Sequence, residues 1–427
     1  MSQRIAVIGV GRIGAVTAVG LAHLGHNVLG IDRDAGRVAR LAEASLRERE
    51  PGLQRALPQV LATGRVAFAT SAPAGGFAFV FVCVDTPSGP GGHPDLSQVV
   101  AASQEACRLL APEGILVTRS TVPVGTAERL ASACVDAGRP DVSVVHNPEF
   151  VREGVAWEDF CGPDRLVFGG GPEACAKVAA LFESIRRPLF ITDAPTAEMA
   201  KYVSNAFLAT SVSFANEMAG LSVRLGADPE AVAAILRADH RVGVHAYVSH
   251  GLGFGGHCLP KDTSALVASA AAEGWRAPLL EAVLAVNRDL PVQAAVWLEA
   301  ALGGLNGKRI CLAGIAFKPG TDDLRESPAL RLAAELARRG ASVAGFDPEV
   351  VDSGPAVETF DSLHGAAAGA DALVVGHAWK GWREFDPVAL AQEMRGRVVL
   401  DAPGVLDGAR WAAAGFSLSL AAGGARP

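Results

Sequence analysis

Cys258 stands in the segment Gly253-Phe-Gly-Gly-His-Cys258-Leu-Pro-Lys261-Asp262. The glycines before it let backbone and ligand come close, and a cation and a carboxylate follow three and four residues on. An ammonium at Lys261 favours the charged sulfur, and Asp262 is placed to move protons or orient water, which is a setting for a nucleophilic thiolate. A cysteine judged from composition alone is more often inert and buried. That ordinary reading is kept for Cys83, Cys107, Cys134, Cys161, Cys175 and Cys311, and His257, a neighbour only in sequence, receives no role. Lys201 and Asn205 are four residues apart and so share a face if their segment is helical. A fixed ammonium and amide there could stabilise an oxyanion; the alternative is a solvated face on which Glu198 pairs with Lys201.

A second cluster suits a nucleotide. Gly9, Gly11 and Gly14 follow the apolar run Arg4-Ile-Ala-Val-Ile and precede an Ala/Val/Leu-rich stretch. At such a strand-to-helix turn the missing side chains admit a pyrophosphate, and the helix N-terminus offers free N–H groups. Asp32 ends the next apolar run, where its carboxylate would accept hydrogen bonds from ribose hydroxyls and repel a 2′-phosphate, favouring NAD over NADP. Arg33 beside it is read as a solvated surface residue.

These groups need elements to carry them. Apolar runs at 78–84, 115–118, 142–145 and 166–168 alternate with helix-like segments, the rhythm of a doubly wound sheet, which places a first domain at residues 1–193. From Pro195 to Pro229 no proline intervenes and Gly220 is an interior weak point, so a helix of up to ~30 residues, ~45 Å long, is allowed. It is read as a spine over 196–225 within a central helical domain, 194–304, with further helices near 229–236, 264–273 and 279–302. From Lys308 the opening pattern returns: Arg309-Ile-Cys-Leu-Ala-Gly314 parallels the first strand, and the run ending at Asp347 parallels the one ending at Asp32. Strands at 372–376 and 398–400 complete a smaller α/β domain, 305–427, without Gly-x-Gly-x-x-Gly. The expected architecture is α/β: two Rossmann-like, doubly wound parallel-sheet domains joined by a central helical region.

The chain has 427 residues, enough for two to four domains at roughly 100–200 residues each. Its formal charge of −7 gives no general attraction for nucleic acid or an anionic membrane. Seven scattered cysteines without a Cys-x-x-Cys pair argue against a disulfide framework or a zinc ribbon, and no metal is expected. With neither a signal-like N-terminus nor an apolar stretch of about 18 residues, the expected compartment is the cytoplasm.

Taken in order, Gly9–Gly14, Glu50-Pro-Gly-Leu, Thr86-Pro, Ser120-Thr-Val-Pro, Asn147-Pro-Glu-Phe, Pro163-Asp-Arg, Lys201 with Asn205, the Cys258 segment and Phe317-Lys-Pro-Gly-Thr-Asp-Asp-Leu-Arg-Glu-Ser-Pro form a series across nearly the whole chain. The series resembles the UDP-glucose/GDP-mannose dehydrogenase family, NAD-dependent four-electron oxidoreductases that turn nucleotide-sugar alcohols into uronic acids. The resemblance implies that Cys258 is the nucleophile, that Lys201, Asn205 and Asp262 surround the reacting carbon, and that Thr121 and Glu149 help place the hydrolytic water. It implies an NAD site of Gly9, Gly11, Arg12, Ile13, Gly14, Asp32, Thr86, Thr121 and Lys261. The substrate contacts it implies are Glu149, Phe150, Lys201, Asn205, Gly255, Lys318 and Arg325, with Tyr247 lining the pocket or packing in a core. Arg241 matches an arginine that reaches into a neighbour's site, so a homodimer or higher homo-oligomer is expected, with no nucleic-acid or membrane partner.

Two departures fall in the expected substrate domain. Leu400-Asp-Ala-Pro-Gly-Val-Leu lacks an Asp-Gly-Arg run often seen there, and His377 replaces a small hydroxyl residue. The resemblance favours oxidation of UDP-glucose to UDP-glucuronate; the alternatives are GDP-mannose or a UDP-N-acetylhexosamine as substrate, and, in a different class, a catalytically silent NAD-binding regulatory protein.

Overall fold

The computed structural model describes residues 2–47 and 49–420. The chain divides into two compact units, Met1–Ser204 and Asn205–Pro427.

The first unit is built on eight strands: β1 Arg4–Ile8, β2 Asn27–Ile31, β3 Val66–Ala69, β4 Phe77–Val82, β5 Leu110–Thr118, β6 Ser143–His146, β7 Leu166–Gly170 and β8 Leu189–Thr192. Their spatial order is β3-β2-β1-β4-β5-β6-β7-β8. The order turns back between β2 and β4, on either side of β1, and there a doubly wound sheet opens a crevice at its carboxyl ends. Side chains alternate between faces, so Ile5 and Val7 enter one core with Val16, Leu21, Phe81 and Phe168, while Ala6 and Ile8 enter the other with Val80, Val82 and Leu116. Burial of both faces is why the strand sequences are continuously apolar rather than alternating.

One pair departs from the expected parallel sheet: β6 and β7 run antiparallel. The connection between them carries the short helix Ala156–Cys161, whose Ala156 and Phe160 pack into the same core as the helix Arg12–His23. That connection does not cross over the sheet, so β7 runs in the opposite direction.

The long helix spans Ala194–Arg224, 31 residues, close to the expected 196–225. It passes from the first unit to the second between Ser204 and Asn205. The second unit continues with helices Pro229–Ala238, Cys258–Ala272 and Pro278–Leu302. The Cys258 helix begins six residues before the expected start at 264. Pro260 lies in its first turn, where a missing N–H costs no intrahelical bond. Six strands follow: β9 Arg309–Ala313, β10 Ser342–Phe346, β11 Glu358–Thr359, β12 Ala372–Val375, β13 Val398–Asp401 and β14 Ser417–Ser419. Their order is β11-β10-β9-β12-β13-β14, and every pairing is parallel.

Candidate active site

At the first turn of the first sheet, Gly9 has φ +84° and a Cβ on Gly14 would run into the Gly9 carbonyl, so both positions require glycine. Above Gly11 there is nothing within 4 Å of a would-be Cβ. The helix Arg12–His23 starts there without a side-chain cap, leaving first-turn N–H groups to a ligand. Asp32 is buried; one carboxylate oxygen accepts from Val10 N (3.0 Å) and the other from Asp34 N (3.0 Å). These features fit a dinucleotide: an open approach for the pyrophosphate, free donors, and a fixed acid for the ribose. Arg33 is exposed as expected, but Arg37, unforeseen, donates to Asp32 at 2.9 Å. Arg12 pairs with Glu153 (2.5 Å) and lies 3.5 Å from the buried Glu50, which accepts from Gly154 N and Ala156 N. Ile13 supplies the carbonyl that Thr17 Oγ1 reaches at 2.8 Å. Thr86 Oγ1 donates to the Thr121 carbonyl at 2.9 Å, joining the segments that follow β4 and β5.

Further along the first unit, Lys201 Nζ donates to the Glu149 carboxylate (2.9 Å) and to the Glu149 carbonyl (2.7 Å), and both side chains are buried. Burial alone would raise the Glu149 carboxyl, but the Lys201 charge and hydrogen bond, the Val151 N–H and the Arg119 charge outweigh it and hold the group below its ordinary value. Lys201 also lies 5.5 Å from the Phe150 ring, which Arg165 covers at 3.8 Å. Glu198 does not pair with Lys201. It is fully buried and accepts from Gly125 N (2.6 Å) and Ala127 N (2.7 Å), tying the end of the Thr121 segment to the long helix. A carboxylate can do this because the first turn of the helix Thr126–Asp136 presents unpaired donors. His146 is pushed down to about 3 by burial and the nearby Lys201 charge, so it stays neutral.

In the second unit Cys258 is exposed and is the first residue of its helix, where the positive end of the helix favours negative charge. Asp262, one turn on, is completely buried; it accepts from Lys261 Nζ (2.6 Å) and from Asn205 Nδ2 (2.6 Å). The structure thus joins Asn205, Lys261 and Asp262 in one unit, and Glu149, Phe150 and Lys201 in the other. Lys201 and Asn205 lie one turn apart on the long helix. Gly255 has no room for a side chain against Phe317, Pro328 and the Glu326 carbonyl. Lys318 lies 5.6 Å from the Phe317 ring, and Arg325, half exposed, pairs with Asp323 at 2.6 Å. Arg241 is largely exposed and pairs with Asp239 (2.6 Å), and Tyr247 is exposed rather than packed in a core. Among the described residues no group of three or more His, Cys, Asp or Glu is arranged to hold a metal ion, and no helix is long and apolar enough to cross a membrane.

The second sheet repeats the first turn with a different filling. Gly314 has φ +98° and faces the His377 ring, whose Nε2 lies 2.9 Å from Asp347. Asp347 also accepts from Ile315 N (2.7 Å) and Ala316 N (3.0 Å). Burial acts to raise Asp347, but the His377 hydrogen bond and charge, with the backbone donors, hold it below its ordinary value.

Comparison with known proteins matches this chain to three consecutive domains: the NAD binding domain (residues 3–187), the central domain (195–289) and the UDP binding domain (311–408) of the UDP-glucose/GDP-mannose dehydrogenase family. The chain belongs to that family. It is an NAD-dependent nucleotide-sugar dehydrogenase. The UDP-glucose 6-dehydrogenase of Pseudomonas aeruginosa is 39% identical, covering 97% of this chain and 96% of its own. The UDP-glucose 6-dehydrogenase YwqF of Bacillus subtilis is 37% identical over 95% and 93%. Among solved structures, a UDP-glucose dehydrogenase from Pyrobaculum islandicum superposes with a TM-score of 0.87 at 36% identity, covering 96% of this chain and 98% of its own. A UDP-D-ManNAc dehydrogenase from Pyrococcus horikoshii gives 0.89 at 28% identity, covering 99% of each chain. These relatives are dehydrogenases and lend no support to a catalytically silent regulatory protein.

Proposed function

We propose that the chain oxidises the C6 alcohol of UDP-glucose to the carboxylate of UDP-glucuronate in the cytoplasm, with Cys258 as nucleophile. The observation that carries this reading is an exposed thiol at a helix start with a buried Asp262 one turn on, fixed by Asn205 and Lys261. NAD, held by the Gly9–Gly14 turn with Asp32 toward its ribose, would supply the hydride acceptor for each of the two oxidations, the reduced cofactor being exchanged for a second NAD between them. After the first oxidation the Cys258 thiolate adds to the aldehyde carbon; a C–S bond forms and the carbonyl electron pair moves to oxygen. Lys201 and Asn205 stabilise that alkoxide. Loss of hydride from the same carbon leaves a thioester. Thr121 and Glu149 place a water for attack on it, Asp262 takes the water's proton, and the C–S bond breaks to release the carboxylate and restore the thiolate. Covalent capture keeps the reactive aldehyde on the enzyme between the two oxidations.

Lys318 and Arg325 are assigned to the phosphate side of the substrate, with Gly255, Phe150 and Tyr247 around the sugar, and Arg241 to the site of a neighbouring copy. The long helix supports a homodimer or higher homo-oligomer: Met199, Val203, Phe207, Phe214 and Leu221 leave apolar surface exposed along it. Cysteines scattered along the chain rather than arranged as a disulfide framework suit a reducing compartment.

A second reading keeps the chemistry and changes the sugar to a UDP-N-acetylhexosamine, favoured by the likeness to the Pyrococcus horikoshii structure. The test is NADH formation across purified UDP-glucose, GDP-mannose and UDP-N-acetylhexosamines, with products identified by mass. Two NADH per UDP-glucose and a uronic acid are expected. Preferred turnover of another sugar overturns the substrate, and one NADH with free aldehyde overturns the covalent route.

A further inference from the structure

The loop that delivers Cys258 to its helix has four glycines among residues 251–257 and buries Leu252 and Phe254, so its mobile glycine backbone needs holding between those two anchors. Two buried amides do this. Asn216, on the long helix, donates through Nδ2 to Val212 O (2.9 Å) and accepts through Oδ1 from Gly251 N at the start of the loop (2.8 Å). Asn287, on the helix Pro278–Leu302, holds Phe254 by both backbone groups: Phe254 N donates to Asn287 Oδ1 (2.7 Å) and Asn287 Nδ2 donates to Phe254 O (3.0 Å). Asn287 is 4% exposed and Asn216 4%. Gly253, with φ +110°, leaves no space for a Cβ because the side-chain Oδ1 of Asn287 occupies it. The Phe254 ring is buried with Ala209 and Val283, and Gly256 N donates to Arg325 O (2.9 Å), so the segment after Phe254 is held as well.

We infer that Asn287 is a positioning residue for the reaction: its side-chain amide, by bonding both the N–H and the C=O of Phe254, sets the height at which the chain enters the helix and thereby the place of Cys258 beside Asn205 and Asp262. The inference rests on the reading of Cys258 as nucleophile. The pairing is specific for an amide. Alanine leaves the buried Phe254 N–H without its partner and leaves the Phe254 carbonyl to the longer bond from the Arg331 guanidinium, 3.4 Å away. An ionised aspartate still accepts from Phe254 N, but sets its second oxygen against Phe254 O. Protonation turns that oxygen into a donor and restores both bonds; burial against a carbonyl favours the protonated form, and the Arg331 guanidinium, which reaches the same carbonyl at 3.4 Å, acts against it.

The test uses the full-length enzyme with N287A and N287D, folded fraction being confirmed by circular dichroism and melting temperature. Two quantities are read: kcat and KM for UDP-glucose, and the rate at which iodoacetamide alkylates Cys258, mapped by mass spectrometry without turnover. N287A is expected to lose at least about tenfold in kcat, since a displacement of an ångström or less is enough for that, with KM within about twofold. Its Cys258 alkylation rate should shift as well. The activity of N287D relative to wild type should climb as pH falls from about 9 to about 6, which a purely structural role in a folded protein would not produce. If N287A does not fold, N287D, nearly isosteric, carries the test. Wild-type kcat and alkylation rates in the folded variants, or an N287D ratio that does not change with pH, overturn the inference. A Cys258→Ser enzyme that keeps its turnover would overturn the nucleophile reading instead, and the alkylation rates would still judge whether Asn287 places the thiol.

Discussion

The two sheets begin with the same device and finish it differently. Gly9 and Gly314 both adopt positive φ after the first strand of their sheet, and Asp32 and Asp347 both turn a carboxylate back onto the N–H groups of the turn. Two residues past the glycine, however, the first sheet has Gly11 under open space, while the second has Ala316, 2% exposed. After the neighbouring strand the first sheet has Val84, and the second has His377 lying on the glycine and bonded to the acid. The lesson is that the acid and the strained turn belong to the fold's own carpentry. What makes a dinucleotide site is the space left over them, and a few side chains decide whether it exists.

The comparison can be broken or sharpened by experiment. The largest effect expected is from Cys258→Ser, which touches neither turn: steady-state turnover should fall by on the order of a thousandfold or more, because a serine is far less acidic and its ester leaves poorly. Binding of NAD and nucleotide sugar by calorimetry should stay within about threefold in that variant. Retained uronic-acid production would mean that the sulfur is structural. Next comes Gly11→Leu, whose side chain enters open space and so should leave the melting temperature unchanged while weakening NAD by about a hundredfold or more, since it takes the pyrophosphate's place. A melting temperature that collapses instead would show that the turn over Gly11 is not open.

The acids should then part company. Asp347→Ala strips two turn amides and His377 of a buried partner and should cost about 3 kcal/mol in denaturant unfolding, with NAD affinity untouched. Asp32→Ser should do the reverse, narrowing the NAD over NADP preference in kcat/KM by about tenfold with a smaller loss of stability. If both variants change cofactor choice, the second turn is also a dinucleotide site and the comparison fails. The smallest effect concerns pH. Glu149 titrates below its ordinary value of 4.5 in the folded protein, so its pair with Lys201 stabilises fully above that value and is lost as pH falls through the lower folded one. The unfolding free energy of wild type should exceed that of Glu149→Gln by about 1 kcal/mol at neutral pH, and the gap should close on acidification below about 4. Using the difference removes Glu198 and Glu50, both raised by burial, whose contributions run the other way.

How much of this was legible in the sequence depends on distance along the chain. The Gly9–Gly14 turn and its acid, and the Cys258 helix with Asp262, are local patterns, and their chemistry reads directly from neighbouring residues. The pairs that finish the site join residues far apart: Lys201 with Glu149 across 52 positions, Glu198 with Ala127 across 71, Asn287 with Phe254 across 33. A one-dimensional reading offers Glu198 to the nearest cation on the same helix face and so misassigns it. Nothing local marks Asn287 or Asn216, since an asparagine in a helix is unremarkable until the loop it clamps is known. The short polar strands β11 and β14 also escape a search for apolar runs, because only one neighbouring strand holds each of them.

The distribution of thiols has a practical side. Cys83 and Cys311 are buried and pushed up to about 12 by burial, Cys175 is buried and raised, and Cys107 and Cys134 face each other at 2.7 Å inside the core. Among the described residues the exposed cysteines are Cys161 and Cys258, and partial desolvation followed by the Glu158 charge raises Cys161. An electrophilic inhibitor or a single fluorescent label therefore has one well-placed target without cysteine-free engineering, and Cys161→Ser would make that target unique on the surface.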